Sequence, residues 1–271
     1  MSVAEMLEPI SRLSKDLRDA TATLSIPEVR YLVDYYYQLQ DFRKSSDNQV
    51  RSMDEEPHEV LAWFAGSTRS LEGSIQRALD RYTDSNTVGQ WSKSIVGIGP
   101  VIAAGLLAHI DIERAPTAGH IWRFAGLDPT LSWEKKTKRP WNAELKTLCW
   151  KIGESFVKVS NNEADIYGHV YAARKEIEIA RNEQGLFADQ AAAKLEKYKI
   201  DKSTDAYKAY SMGKLPPAHI HARAKRYAVK LFLAHLHHVM YEVRYGCPPP
   251  KPYILTQGDH AHYIAPPGWP M

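Results

Sequence analysis

Apolar positions recur at helical spacing along most of the chain. Between Val3 and Leu24, Met6, Ile10, Leu13 and Leu17 share one face. Ser25-Ile26-Pro27-Glu28 reads as a capping box with proline in the first turn, opening a helix that runs to about Ser45. That helix carries Tyr31, Tyr35, Tyr36 and Tyr37, a cluster suited to helix packing more than to base stacking. Asp54–Glu56 with Pro57 predicts a third long helix to about Arg81, and Asp84-Ser85-Asn86 a loop. Further helices are predicted over 142–160, 162–182 and 187–198, with a short one over 201–212. In the first of these Leu145, Leu148, Ile152 and Phe156 line one side. A last long helix runs from Pro217 to about Tyr245, basic in its first half and apolar in its second. No stretch alternates with the two-residue period of a strand, and no fixed repeat is present. The reading is all-α: a helical N-terminal region over 1–86, a core over 87–245 and a proline-rich tail over 246–271.

One stretch breaks the ordinary helix pattern. A polar amphipathic segment, Thr87–Ser94, runs into Ile95-Val96-Gly97-Ile98-Gly99-Pro100-Val101 and then a strongly apolar helix. This is the sequence shape of a helix-hairpin-helix. Two glycines let the backbone turn tightly and leave its N–H groups bare where the second helix begins. Such groups attract anions, a nucleic-acid phosphate above all. Pro100 fits the first turn, where its missing N–H costs nothing. Gly97, Ile98, Gly99 and Val101 are therefore the first candidate contacts; the plain alternative is a glycine turn between packed helices. Beyond it, Thr117 reads as an N-cap, Trp122 and Phe124 as core, and Gly126 as a helix stop.

Charge sharpens this picture through its distribution. The 271 residues carry a net charge of only +3. The linker 127–140 concentrates Lys135, Lys136, Lys138 and Arg139 against Glu134 alone, bracketed by Trp133 and Trp141, and Lys146 and Lys151 extend it. Cations interleaved with aromatic rings suit a nucleic-acid backbone and its bases. A second basic block holds Lys214, Arg223, Lys225, Arg226 and Lys230 with no carboxylate inside it, and Arg223, Arg226 and Lys230 share a helix face. Both blocks also read as solvated surface.

Other chemistry is thin. Cys149 and Cys247 have no metal-ligand spacing and fit a reducing compartment. His219, His221, His235, His237, His238, His260 and His262 cluster without a zinc motif, so no metal site is expected. No apolar run is long enough to span a membrane and Met1–Asp19 lacks a signal-peptide core, so the expectation is a cytoplasmic chain without a membrane partner.

The segment from Val96-Gly97-Ile98-Gly99-Pro100 through Leu107, with Phe124-Ala125-Gly126-Leu127-Asp128-Pro129, resembles the C-terminal helix-hairpin-helix domain of the DEDD insertion-sequence transposases, the Piv-like, bridge-RNA-guided recombinases. There a serine-bearing loop, a basic stretch and a helix opening Gly-Asn-x-x-Leu-Arg follow in order. Here the order is Ser132-Trp133, Lys135–Arg139 and Trp141-Asn142-Ala143-Glu144-Leu145-Lys146, which adds Ser132 as a candidate nucleophile and Asn142 and Lys146 as candidate contacts. The likeness covers about residues 94–157, and the helix from Pro217 resembles the family's closing helix. That family's RuvC-like nuclease domain has no counterpart in the residues before the hairpin, and no strand carries a metal-binding carboxylate.

The resemblance implies a DNA-binding chain, with RNA as the alternative ligand, in an accessory or remnant role in transposition and recombination. A RuvC-like nuclease partner and a homo-oligomer are its implied associations. The isolated chain is expected to need no cofactor and not to cut DNA. An active recombinase is the rival reading, with Ser132 as nucleophile and magnesium held by carboxylates from a partner chain. A structural protein without nucleic acid is the third.

Overall fold

In the computed structural model, which describes residues 14–53, 58–250 and 264–270, the fold is all-α and no strand occurs among the described residues. The helices are α1 (Lys15–Ala20), α2 (Ile26–Arg51), α3 (Glu59–Asp84), α4 (Thr87–Ser94), α5 (Pro100–His109), α6 (Ala118–Phe124), α7 (Ala143–Val159), α8 (Tyr167–Glu183), α9 (Ala188–Lys197), α10 (Asp205–Ser211) and α11 (Pro217–Tyr245).

Local chemistry sets most boundaries. Glu28 accepts the Ser25 N–H at 2.7 Å, closing the start of α2. Asn142 Oδ1 accepts the Leu145 N–H at 2.7 Å and starts α7. α6 ends in a Schellman arrangement: Gly126 takes φ +65° and the Leu127 N–H reaches back to the Trp122 carbonyl at 2.8 Å. α11 ends on Gly246 at φ +69°. The helix expected from Val3 is seen as α1 followed by a 3-10 turn over Thr21–Thr23; Met6, Ile10 and Leu13 lie outside the described residues, as do Asp54–Pro57. At the described start of α3, His58 Nδ1 accepts the Val60 N–H. α8 begins at Tyr167, later than expected, because Asn162–Asp165 fold into an Asx turn and Asp165 then caps the His169 N–H.

α5 explains the architecture. It is apolar all round, and a helix of that kind must be covered on every side. Ala103 and Leu106 face the main core, while Val101, Ala104 and Ala108 face a second cluster with Val29 and Val33 of α2 and Ile75, Leu79 and Tyr82 of α3. α2 and α3 form a two-helix arm, and α5 is the wedge that joins it to the rest. α5 also approaches α7 closely: a Cβ on Gly105 would lie 2.9 Å from Leu148 Cδ2.

α11 runs through the main core, burying Ala224, Ala228, Val229, Phe232, Leu233, Leu236 and Val239. Phe232 meets Tyr167 at 5.3 Å and Phe156 at 5.6 Å edge-on, and stacks with Trp91 at 6.1 Å between centroids. The end of the proline-rich tail seats here. The Trp91 indole donates to the Pro267 carbonyl and the Trp269 indole to Glu242. Phe124, expected in the core, is instead 45% exposed. The two-turn α6 presents Ile121 and Ala125 inward, four residues apart, and Phe124 falls off that stripe.

Candidate nucleic-acid interface

The hairpin between α4 and α5 forms as a tight turn. Gly97 takes φ +92°, and its carbonyl accepts the Ser155 hydroxyl of α7 at 2.6 Å. The two glycines are unequal. A Cβ on Gly97 would lie 3.2 Å from both Ser155 Oγ and Val159 Cγ2, whereas one on Gly99 would meet nothing within 4 Å, and Gly99 has an ordinary φ of −89°. Gly97→Ala is expected to cost about 1–3 kcal/mol through its left-handed backbone. Gly99→Ala, at an N-cap position, is expected to cost no more than about 1 kcal/mol. Urea unfolding of both variants checks the ranking.

Gly99 is the N-cap of α5 and no side chain caps that end. Ile98 and Val101 point inward, 4% and 6% exposed, so only their backbone is available to a ligand. Lys93, the lysine nearest the hairpin in sequence, is engaged by Asp80 and Asp84.

The linker 127–142 holds no helix, yet it is ordered by its own contacts. Asp128 Oδ1 accepts the Thr130 N–H and hydroxyl, which with nearby Arg123 and Lys230 holds its carboxyl below the usual range. The Asn142 N–H donates to the Phe124 carbonyl at 2.8 Å. Asn142 Oδ1 is occupied as the cap of α7, which leaves its amide for any ligand. Lys135, Lys136, Lys138 and Arg139 are exposed and have no ion-pair partner among the described residues. Ser132 is exposed and has no hydrogen-bond partner there.

The structure brings the two basic blocks together. Lys146, in the first turn of α7, has its basicity lowered by burial and then by the positive charges of Arg139, from the linker, and Arg226, from α11. Burial, with Arg226 beside it, also lowers Lys230; Asp128 opposes that shift. Burial and Arg223 lower Arg226. The linker and the first turn of α7, adjacent in sequence, are thus brought near the like charges of α11, which lies far along the chain.

Rings hold these cations. Lys146 Nζ lies 4.0 Å from the Trp141 centroid, Lys230 Nζ 4.3 Å from that of Trp122, and Arg139 Cζ 5.3 Å from that of Trp133. Trp122 also donates its indole N–H to the Lys230 carbonyl, tying α6 to α11. This role of Trp122 was not legible in the sequence, because an isolated tryptophan on a short helix reads as core.

Arg223 behaves differently from its two neighbours on the stripe. Its Nε donates to Glu178 at 2.7 Å, and its guanidinium covers Phe187. Glu178, 1% exposed, also meets Arg174 and Arg181. Lys225 pairs with Glu154 and Lys214 with Glu183. The block that holds no carboxylate of its own is partly neutralised by α7 and α8.

The hairpin and the basic face do not coincide. Ser155 and Lys146 are nine residues apart on α7, about 13 Å along the axis and half a turn out of phase. Among the described histidines, His219 borders the basic face: burial, and then the positive charges of Arg226, Lys194 and Arg223, lower its basicity. His235 Nδ1 meets the Tyr167 hydroxyl at 2.7 Å and its Nε2 the Ile264 carbonyl at 2.9 Å, and burial pushes its pKa down to about 4. His237 meets the Ala115 carbonyl, His221 the Tyr171 hydroxyl and His238 Glu242. His260 and His262 lie outside the described residues, among which no His, Cys, Asp or Glu group is arranged to hold a metal.

Residues 91–149, from Trp91 in α4 to Cys149 in α7, match the profile of the Transposase IS116/IS110/IS902 family. This stretch is related to insertion-sequence transposases. It takes in the hairpin, α6, the basic linker and Lys146, whereas Arg226 and Lys230 lie beyond it. No curated protein and no solved structure shows a significant match to the chain. No helix among the described residues is long and apolar enough to cross a membrane.

Proposed function

We propose that this transposase-related chain binds nucleic acid, DNA in the first instance, through backbone phosphates. The binding face comprises Lys135, Lys136, Lys138 and Arg139 of the linker, Lys146 of α7, and Arg226 and Lys230 of α11. The observation that carries this reading is the convergence of Arg139, Lys146 and Arg226 without an ion-pair partner among the described residues. Like charges held together cost free energy in the free protein, and a polyanion removes that cost. The cations are also held over indole rings before any ligand arrives, which lowers the ordering cost of binding.

The bare N-terminus of α5, around the far side of α7, adds a second phosphate contact for a ligand long enough to reach both. Arg223 acts through Glu178 as a support for α11 rather than as a primary phosphate ligand. The role in transposition is accessory: the chain holds nucleic acid, and strand chemistry comes from a RuvC-like partner. Ser132 has no hydrogen-bond partner among the described residues to take its proton, so no catalytic step is assigned to it.

The test is fluorescence anisotropy of a labelled DNA against salt concentration. Phosphate binding of this kind gives a log–log slope of about −0.9 per contact on duplex, hence roughly −4 to −6 for the seven cations if most engage. Absence of binding at low salt, or a slope near zero, would refute the reading.

A further inference from the structure

Trp133 is the most exposed of the site's tryptophans and belongs to no hydrophobic cluster of the fold. It is 38% exposed, whereas Trp122 and Trp141 are half-buried. Folding gains little from leaving a large ring in that position. Nevertheless the ring is fixed. Its indole N–H donates to the Thr137 carbonyl at 2.9 Å, across its own loop. Thr137 in turn donates its N–H and its hydroxyl to the Glu134 carbonyl. Lys136 sits inside that loop at φ +75°, in the left-handed region that lysine rarely occupies.

The ring is also anchored from behind. Trp133 meets Trp141 edge-on at 6.4 Å between centroids. Trp141 packs on the end of α6, where a Cβ on Gly126 would lie 2.8 Å from its Cγ. The loop therefore presents an indole to solvent on a rigid mount, with Arg139 over it at 5.3 Å. Strain retained in an exposed, ordered loop is a mark of a ligand site.

We infer that Trp133 is a stacking platform for an unpaired base, so that the preferred ligand of this face is single-stranded or locally unpaired nucleic acid rather than continuous duplex. The inference rests on the nucleic-acid reading above and names its ligand class. A duplex offers phosphates to the surrounding lysines but keeps the faces of its bases stacked inside. An unpaired base brings a free face to the side of the indole away from Arg139, whose guanidinium lies over the ring within reach of the phosphate of the same nucleotide. Stacking on an aromatic side chain tolerates any base, so the preference is for strandedness and not for sequence.

The experiment measures affinity for a labelled dT oligonucleotide and for a hairpin duplex of equal phosphate number. The wild-type chain is compared with Trp133→Leu and Trp133→Phe. Trp133→Leu is expected to weaken dT binding roughly ten-fold, and duplex binding less than about two-fold. Trp133→Phe, which keeps a ring, is expected to restore most of the dT affinity and to show that the loop still folds. An equal loss on both ligands, no loss on either, or a wild-type preference for duplex would overturn the inference and leave nucleic-acid binding standing. Failure of the wild type to bind either ligand would overturn both.

Discussion

Replacing Lys146, Arg226 and Lys230 together by glutamine is expected to weaken DNA binding roughly 10- to 100-fold at physiological salt. The log–log salt slope should fall by about two to three, one increment of roughly 0.9 per lost phosphate contact. The three come from α7 and α11, and Arg226 is the charge common to the shifts of the other two. Lys146 and Arg226 are exposed and Lys230 is half-buried, so all three heads can reach a phosphate. Relief of the mutual repulsion offsets the loss of the Lys146–Trp141 and Lys230–Trp122 contacts, and the triple variant should melt close to the wild-type temperature. Lys225 is the control. Its ammonium is held by Glu154, so Lys225→Gln should leave the slope almost unchanged. A triple variant with the wild-type slope would return the basic face to ordinary solvated surface.

Phe232→Ala is expected to produce the largest loss of stability, about 3–5 kcal/mol. The side chain is fully buried where α4, α7, α8 and α11 meet, against Trp91, Phe156 and Tyr167. Its removal leaves a void edged by three aromatic rings, and rings of that size close poorly over a gap. For a chain of this length the melting temperature should drop by roughly 10 °C. The site depends on the same core, because α11 carries Arg226 and Lys230 on the helix that Phe232 anchors. DNA affinity measured near the variant's melting point should therefore fall with the folded fraction. A shift of only a degree or two in calorimetry would mean that the aromatic core is looser than described.

Helices whose ends are marked by local chemistry were legible in the sequence. Pro217 and Gly246 bracket α11 as expected, and the Ser25–Glu28 pair opens α2. The turn at Gly97 and Gly99 was legible too, but not the difference between the glycines, since only the neighbouring Ser155 and Val159 create it. Phe124 was misplaced because a two-turn helix carries too few residues to define its buried stripe. Nor does periodicity tell which side of an all-apolar helix such as α5 meets which neighbour.

The two basic blocks were legible separately, as charge in a linker and charge on a helix face. Their convergence was not, because about 80 residues separate Lys146 from Arg226 and only the packing of α7, α6 and α11 brings them together. The neutralisation of Arg223 by Glu178 was hidden for the same reason, since the carboxylate lies on α8. Trp133 and Trp141 were noticed beside the lysines, whereas the pairing of Trp122 with Lys230 crosses from one helix to another.

Photo-crosslinking tests the central claim most directly. The full chain is bound to DNA carrying a photoreactive group on its backbone, irradiated and digested, and the attached peptides are identified by mass spectrometry. Adducts are expected in two sequence-distant peptides at once, one from the linker and the first turn of α7 between 133 and 146, the other from α11 between 223 and 230. Adducts confined to the arm of α2 and α3, or to α9 and α10, would contradict a binding face built from the linker, α7 and α11.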